Sequence, residues 1–214
     1  MKLYGYYRSS TSYRVRIALG LKGLKYDQVE IDLKTGEQRS EAFAKINPHQ
    51  TVPALQIDGR VISQSLAILD WLETAYPEPS LRPSRTEDRL LCSQVYFAIA
   101  SEVHAVNNLP VLNHLRNEFS ANTSDIEGWY SVWVRKTFSA VERRLSQSEW
   151  RNEDLPFAAP SLFEVVLIPQ VYNAQRWNVA MDDFPLISQI NAYCNGIEAF
   201  ADAHPDSQKE KLDQ

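Results

Sequence analysis

The hydrophobic pattern of this chain changes character at "YPEPSLRPS", residues 76–84, where three prolines fall within nine residues. Proline at that density can continue neither a helix nor a central strand, so the segment reads as a linker. Before it, alternating apolar runs are interleaved with helical ones. After it, almost every apolar run has helical spacing. The expected architecture is a small α/β domain over residues 1–80 followed by an all-helical domain over 86–210.

In the first half, "VEIDL" sets Val29, Ile31 and Leu33 at alternate positions, a half-buried strand. "VPALQIDGRVIS" offers two short apolar runs joined by Asp58-Gly59, a tight-hairpin signal. One helix is predicted to begin near Thr11, with Val15, Ala18 and Leu19 on one face, and to stop by Gly23. "EAFAKINP" is a shorter helix closed by Pro48, and "QSLAILDWLETAY" repeats Leu66, Leu69, Leu72 and Tyr76 up to Pro77. A helix between the first two strands predicts a parallel βαβ unit to which the hairpin adds antiparallel strands. In the second half, "LLCSQVYFAIASEVHAVNNL" and "IEGWYSVWVRKTFSAVERRL" read as long helices. In "PSLFEVVLIPQVYNAQRW", Ser161 and Glu164 have the spacing of a capping box, Pro169 predicts a kink or displaced turn, and Arg176 falls near the helix end.

A net charge of −5 argues against nucleic acid as the main ligand. Two cysteines, Cys92 and Cys194, are too few for a disulfide framework, and there is no CxxC pair. No stretch approaches the roughly 20 apolar residues of a membrane span. The expectation is a soluble protein of a reducing, cytoplasmic compartment, with no membrane partner.

"YRSSTSYRVRIALGLKG" sets Ser9, Ser10 and Thr11 ahead of the first helix, with Arg8 just before them. Such hydroxyls can cap the helix. They can also donate to a thiolate, which the helix terminus stabilises as well. No cysteine stands there, so the sulfur would come from a ligand. Two further pieces match a peptide ligand. Were Val52–Pro53 cis, the Val52 N–H and C=O could pair with an extended peptide, and "SQS" at 63–65 opens another helix where a carboxylate could sit. Alone, each of these is an edge proline or an ordinary cap.

"RSSTSYRVRIALGLKG", "NPHQTVPAL", "QSLAILDWLE" and "LIPQVYNAQRW" together resemble the zeta class of the glutathione transferase family, over nearly the whole chain and in the same order. The resemblance implies a thioredoxin-like N-terminal domain, an all-α C-terminal domain and a homodimer. It also implies glutathione as a recycled cofactor for cis–trans isomerisation of a maleyl-type dicarboxylate in aromatic catabolism. Ser9, Ser10 and Thr11 match the active-site loop, with Thr11 where many members have cysteine. Gln38, Val52, Gln64, Ser65, His104 and Asn108 match glutathione contacts, Val52 through its backbone and Gln64 with Ser65 at the γ-glutamyl carboxylate. Arg8 and Arg176 match receivers of substrate carboxylates, whereas Arg14 and Arg16 read as solvated or structural helix charges. The chain departs from the family where "FAAPSLFEV" lacks the usual Gly-Asp pair. It also has Leu109 and Pro110 where maleylpyruvate isomerases can carry paired arginines. Two other functions fit the same features: conjugation of glutathione to electrophiles such as α-haloacids, and a non-catalytic interaction module.

Overall fold

A computed structural model describes residues 1–150 and 152–212. By packing the chain forms two units, residues 1–81 together with the chain from Asn195 onward, and residues 82–194.

The first unit runs β1 (Lys2–Gly5), α1 (Ser10–Leu21), β2 (Asp27–Glu30), a 3₁₀ turn (Glu37–Arg39), α2 (Glu41–Ile46), β3 (Ala54–Ile57), β4 (Arg60–Ser63) and α3 (Ser65–Ala75). The sheet order is β2-β1-β3-β4. β1 and β2 pair in parallel, with Lys2 opposite Asp27 and Gly5 opposite Glu30. β3 runs antiparallel to β1, and β4 to β3. Asp58 and Gly59 both have positive φ, 47° and 77°, as the two-residue hairpin demands. Val52–Pro53 is cis. Leu3, Ala54 and Leu55 of the sheet are fully buried, as are Val15, Ile17, Ala18 and Leu19 of α1.

Two boundaries differ from expectation. β2 occupies 27–30 rather than 29–33, because β1 offers only four residues to pair with. After the last bond, Ile31 N–H to Gly5 O at 2.7 Å, Asp32 turns the chain by accepting from the Lys34 N–H at 2.8 Å. α1 begins at Ser10, with Ser9 as its cap. Arg14 and Arg16 are not solvated: both are 1 % exposed. Arg16 donates to Ala203 O at 3.0 Å and to Tyr7 O at 2.8 Å, so its guanidinium ties the β1–α1 turn to the last helices. Those helices, α10 (Glu198–Ala203) and α11 (Pro205–Leu212), belong by packing to the first unit, whereas the expected helical domain is drawn over 86–210. Gly20 permits this, since a Cβ there would stand 3.1 Å from the Ala199 Cβ of α10.

The second unit contains α4 (Thr86–Phe97), a π-helical stretch (Ala98–Val103), α5 (His104–Asn107), α6 (Leu109–Phe119), α7 (Thr123–Gln147), α8 (Leu162–Arg176) and most of α9 (Pro185–Asn195). The long helix expected over 90–109 is therefore broken. Pro110 in the first turn of α6 cannot donate a hydrogen bond, and Asn108 adopts extended backbone to cap the new helix. Pro169, where a kink or displaced turn is expected, lies inside α8. The helix runs through it, and Val165, Val166, Leu167, Ile168 and Val171 are each at most 1 % exposed, so packing holds the turn that lacks a donor. The capping box forms: Ser161 accepts from the Phe163 N–H at 3.1 Å, and Glu164 Oε2 accepts from the Ser161 N–H at 2.7 Å and its hydroxyl at 2.8 Å.

Candidate active site

α1 and α3 both begin without an acidic residue in the first turn, so the partial positive charge of each N-terminus is not cancelled locally. At α1 three polar groups form a directed chain. Ser9 Oγ accepts from the Ser12 N–H at 3.3 Å and lies 2.8 Å from Thr11 Oγ1. Thr11 donates to Val52 O at 3.0 Å. The Val52 carbonyl can only accept, so the Thr11 proton points there and Ser9 is the donor between the two hydroxyls. Each Ser9 lone pair held by a helix N–H makes its own O–H a stronger donor. Ser9 is half-buried and therefore reachable, whereas Ser10, the first residue of α1, is 6 % exposed. Ser9, Thr11 and Val52 are thus brought together. The Val52 carbonyl accepts from Thr11 with one of its two lone pairs.

α3 starts differently. Gln64 precedes it with φ 69° and makes no side-chain cap bond. A positive φ costs a non-glycine residue of order 1–3 kcal/mol, and such strain collects where function demands it. Beside it, Ser65 is buried and accepts from Arg14 Nη1 at 3.4 Å. The Ser65 oxygen is held by a cation, which leaves its proton to donate outward. Uncapped N–H groups, a serine hydroxyl and a buried guanidinium behind it form a carboxylate receiver. Sequence reasoning missed Arg14 in this role because the i, i+4 pattern of α1 does not reveal which neighbour meets its side chain. α1 therefore supports both features, the hydroxyl chain at its tip and Ser65 one turn further on.

Gln38, in the 3₁₀ turn, is buried, and its Oε1 accepts no hydrogen bond among the described residues. Arg8 is half-buried, directly before the cap of α1. No hydrogen bond connects Gln38, Gln64 or Arg8 to the Ser9–Thr11–Val52 chain among the described residues.

The second unit holds the other expected residues. His104 opens α5 and is half-buried. Asn108 is occupied structurally: Oδ1 accepts from the Val111 N–H at 3.1 Å, and Nδ2 donates to Ala105 O at 2.8 Å. Its neighbour Asn107 is the more suggestive group. It is 7 % exposed, and both amide atoms lack a hydrogen-bond partner among the described residues. A buried polar group left so costs about 1–3 kcal/mol. The doubled asparagine in "VNNL" carried this signal without saying which residue caps. Arg176 ends α8, is exposed, and donates to Asn173 Oδ1 at 3.2 Å.

Neither cysteine can serve as a thiolate. Burial, reinforced by the Glu164 carboxylate, pushes the Cys92 thiol up to about 12 and that of Cys194 higher still. Any reactive sulfur at Ser9 would have to be brought by a ligand.

Residues 3–80 match the family model for the glutathione S-transferase N-terminal domain. A maleylacetoacetate isomerase of Pseudomonas aeruginosa is 39% identical over 97% of this chain and 97% of its own. The holo structure of a maleylpyruvate isomerase, described as a bacterial zeta-class glutathione S-transferase, superposes with a TM-score of 0.94 at 37% identity, covering 97% of this chain and 98% of that one. A maleylacetoacetate isomerase from Methylobacterium extorquens, solved with malonate and glutathione bound, gives 0.90 at 30% identity over 96% of both chains.

Proposed function

The chain belongs to the zeta class of the glutathione S-transferase family, and from that membership we propose that it is a glutathione-dependent cis–trans isomerase of maleyl-type dicarboxylates. Maleylacetoacetate is the first substrate to test. The observation that carries the reading is the hydroxyl chain at the start of α1, in a protein whose own thiols are buried and kept protonated. The residues present fit glutathione. The γ-glutamyl carboxylate matches Gln64, Ser65 and the Arg14 charge behind it, and the orphaned Gln38 Oε1 matches an N–H of the tripeptide.

When bound, glutathione supplies a thiolate that adds to the cis double bond and leaves again after rotation about the single bond so formed. The chain's own part is electrostatic. Ser9 turns its proton from Thr11 toward the sulfur, and the α1 terminus favours the negative form. Thr11 holds its bond to Val52 throughout and so fixes the strand entrance against the helix tip. Arg8 and Arg176 supply bidentate donors for substrate carboxylates.

The test is a glutathione-dependent assay with maleylacetoacetate, maleylpyruvate and an α-haloacid side by side. The isomerase reading expects turnover of a maleyl substrate with glutathione regenerated. Consumption of one glutathione per haloacid, without isomerisation, would replace it with the transferase reading.

A cytoplasmic homodimer completes the proposal. No helix among the described residues is long and apolar enough to cross a membrane. Leu90 and Phe97, 60 % and 56 % exposed, lie two turns apart on one face of α4, an apolar stripe suited to a second copy. Phe97→Glu should halve the particle mass measured by light scattering. A monomeric wild-type protein would contradict the dimer.

A further inference from the structure

Resting on the isomerase reading and its Ser9 donor, we propose that Arg16 is a positioning residue for the reaction: it aims the Ser9 hydroxyl through the Tyr6–Tyr7 turn and anchors that aim to α10. Arg16 is 1 % exposed, and its planar fork is directed at backbone carbonyls. Nη2 donates to Tyr7 O at 2.8 Å and Nη1 reaches Tyr6 O at 3.5 Å, both on the turn between β1 and α1. Nε donates to Ala203 O at 3.0 Å. Ala203 is the last residue of α10, so its carbonyl has no partner inside the helix and lies at the end that favours a cation.

That turn sets Ser9. The Ser9 N–H donates to Tyr6 O at 3.0 Å, so the cap of α1 hangs from the same carbonyl that Arg16 approaches. Tyr7 is held from both sides: its N–H donates to Glu30 Oε1 at 2.9 Å, and its carbonyl accepts from Arg16. Glu30 belongs to β2, and its other oxygen accepts from Gln28 Nε2 at 3.3 Å. Two residues before Ser9 the backbone is therefore clamped between a guanidinium and a carboxyl group. The far end of the clamp is fixed as well. The Arg16 guanidinium carbon stands 5.5 Å from the centroid of the fully buried Tyr13 ring, whose hydroxyl donates to Phe200 O of α10 at 3.4 Å. A donor aimed at stored charge must be held to within about half an ångström, and a misplacement of about 1 Å can cost on the order of a hundredfold in rate. Lysine at position 16 would keep the charge and lose the fork, so it could not hold both the turn and α10.

The experiment is ultraviolet titration of the glutathione thiol bound to the full-length protein in wild type, Arg16→Lys, Ser9→Ala and the double variant. Gly20→Val is a second route to the same contact, and it carries the test should Arg16→Lys not fold. Arg16→Lys should raise the bound thiol by about half a pH unit, a roughly threefold change in its ionisation constant. It should also lower kcat for the maleyl substrate about tenfold and change KM little. In the Ser9→Ala background the same substitution should move the thiol no further, because the group that Arg16 positions is gone. Gly20→Val should move it in the same direction as Arg16→Lys. A Cβ at position 20 stands 3.1 Å from the Ala199 Cβ, so the larger side chain forces α10, and Ala203 O with it, away from α1. A thiol that titrates as in wild type in either folded variant overturns the proposal. So does an equal shift with and without the Ser9 hydroxyl, which is what a merely structural residue would give. Because the titration needs no turnover, a protein whose bound thiol depends on Arg16 through Ser9 but which isomerises nothing would contradict the isomerase reading and leave the positioning role standing.

Discussion

Replacing Glu164 with alanine will destabilise the protein by about 3 kcal/mol, the largest stability effect expected of any single side chain discussed above. Glu164 is fully buried and accepts both the Ser161 N–H and the Ser161 hydroxyl. Its loss leaves the buried Ser161 N–H without an acceptor, at about 1–3 kcal/mol, removes half of a capping box, and opens a void in a packed helix. The same carboxyl makes stability depend on pH. Burial pushes it up to about 7, against the opposing pull of the Ser161 N–H and hydroxyl. A carboxyl whose native value lies above its unfolded value favours folding while protonated, and that contribution is lost as pH rises. Between pH 4 and pH 8 the group should therefore withdraw on the order of 3 kcal/mol. Urea denaturation of wild type and Glu164→Gln across that range checks the sign. The stability of wild type relative to the glutamine variant should fall with rising pH, and a difference that is flat or grows would show that the carboxylate is ionised in the native state.

Ser9→Ala will lower turnover by about two to three orders of magnitude, the loss usual for a donor aimed at developing or stored negative charge. It will also cost about 1 kcal/mol of stability, because Ser9 caps α1 through the Ser12 N–H. The two effects are separable. Ser9→Asn keeps a capping oxygen and should restore most of the stability without restoring turnover. Thr11→Val removes the bond to Val52 O while leaving Ser9 in place, so its effect should fall between wild type and Ser9→Ala. Steady-state kinetics at saturating glutathione gives the comparison. A Ser9→Ala protein with wild-type turnover would take the hydroxyl out of the mechanism.

The fold was legible wherever local chemistry decides it. Asp58-Gly59 marked the hairpin, Ser161 and Glu164 marked the start of α8, and the prolines of 76–84 marked the linker. What escaped depends on neighbours that the sequence does not name. β2 ends where β1 runs out of residues, a fact about its partner strand. Arg14 and Arg16 sit at helix positions that suit solvated charges equally well, and only tertiary packing shows them buried. The π-helical stretch before His104 has no mark in its composition. At the candidate site the same division holds. Ser9 and Thr11 announced themselves as hydroxyls at a helix start, but which donates to which required the position of Val52 O. Asn108 was expected as a glutathione contact from the resemblance, and its capping role, like the orphaned amide of Asn107, emerged only with the break between α5 and α6.

The most direct test is the ultraviolet titration of the thiol of glutathione bound to wild type and to Ser9→Ala. The account predicts a bound thiol that ionises at least one pH unit below a free thiol, worth about 1.4 kcal/mol, and that moves back toward the free value in the variant. A bound thiol that titrates like free glutathione in the wild-type protein would contradict it.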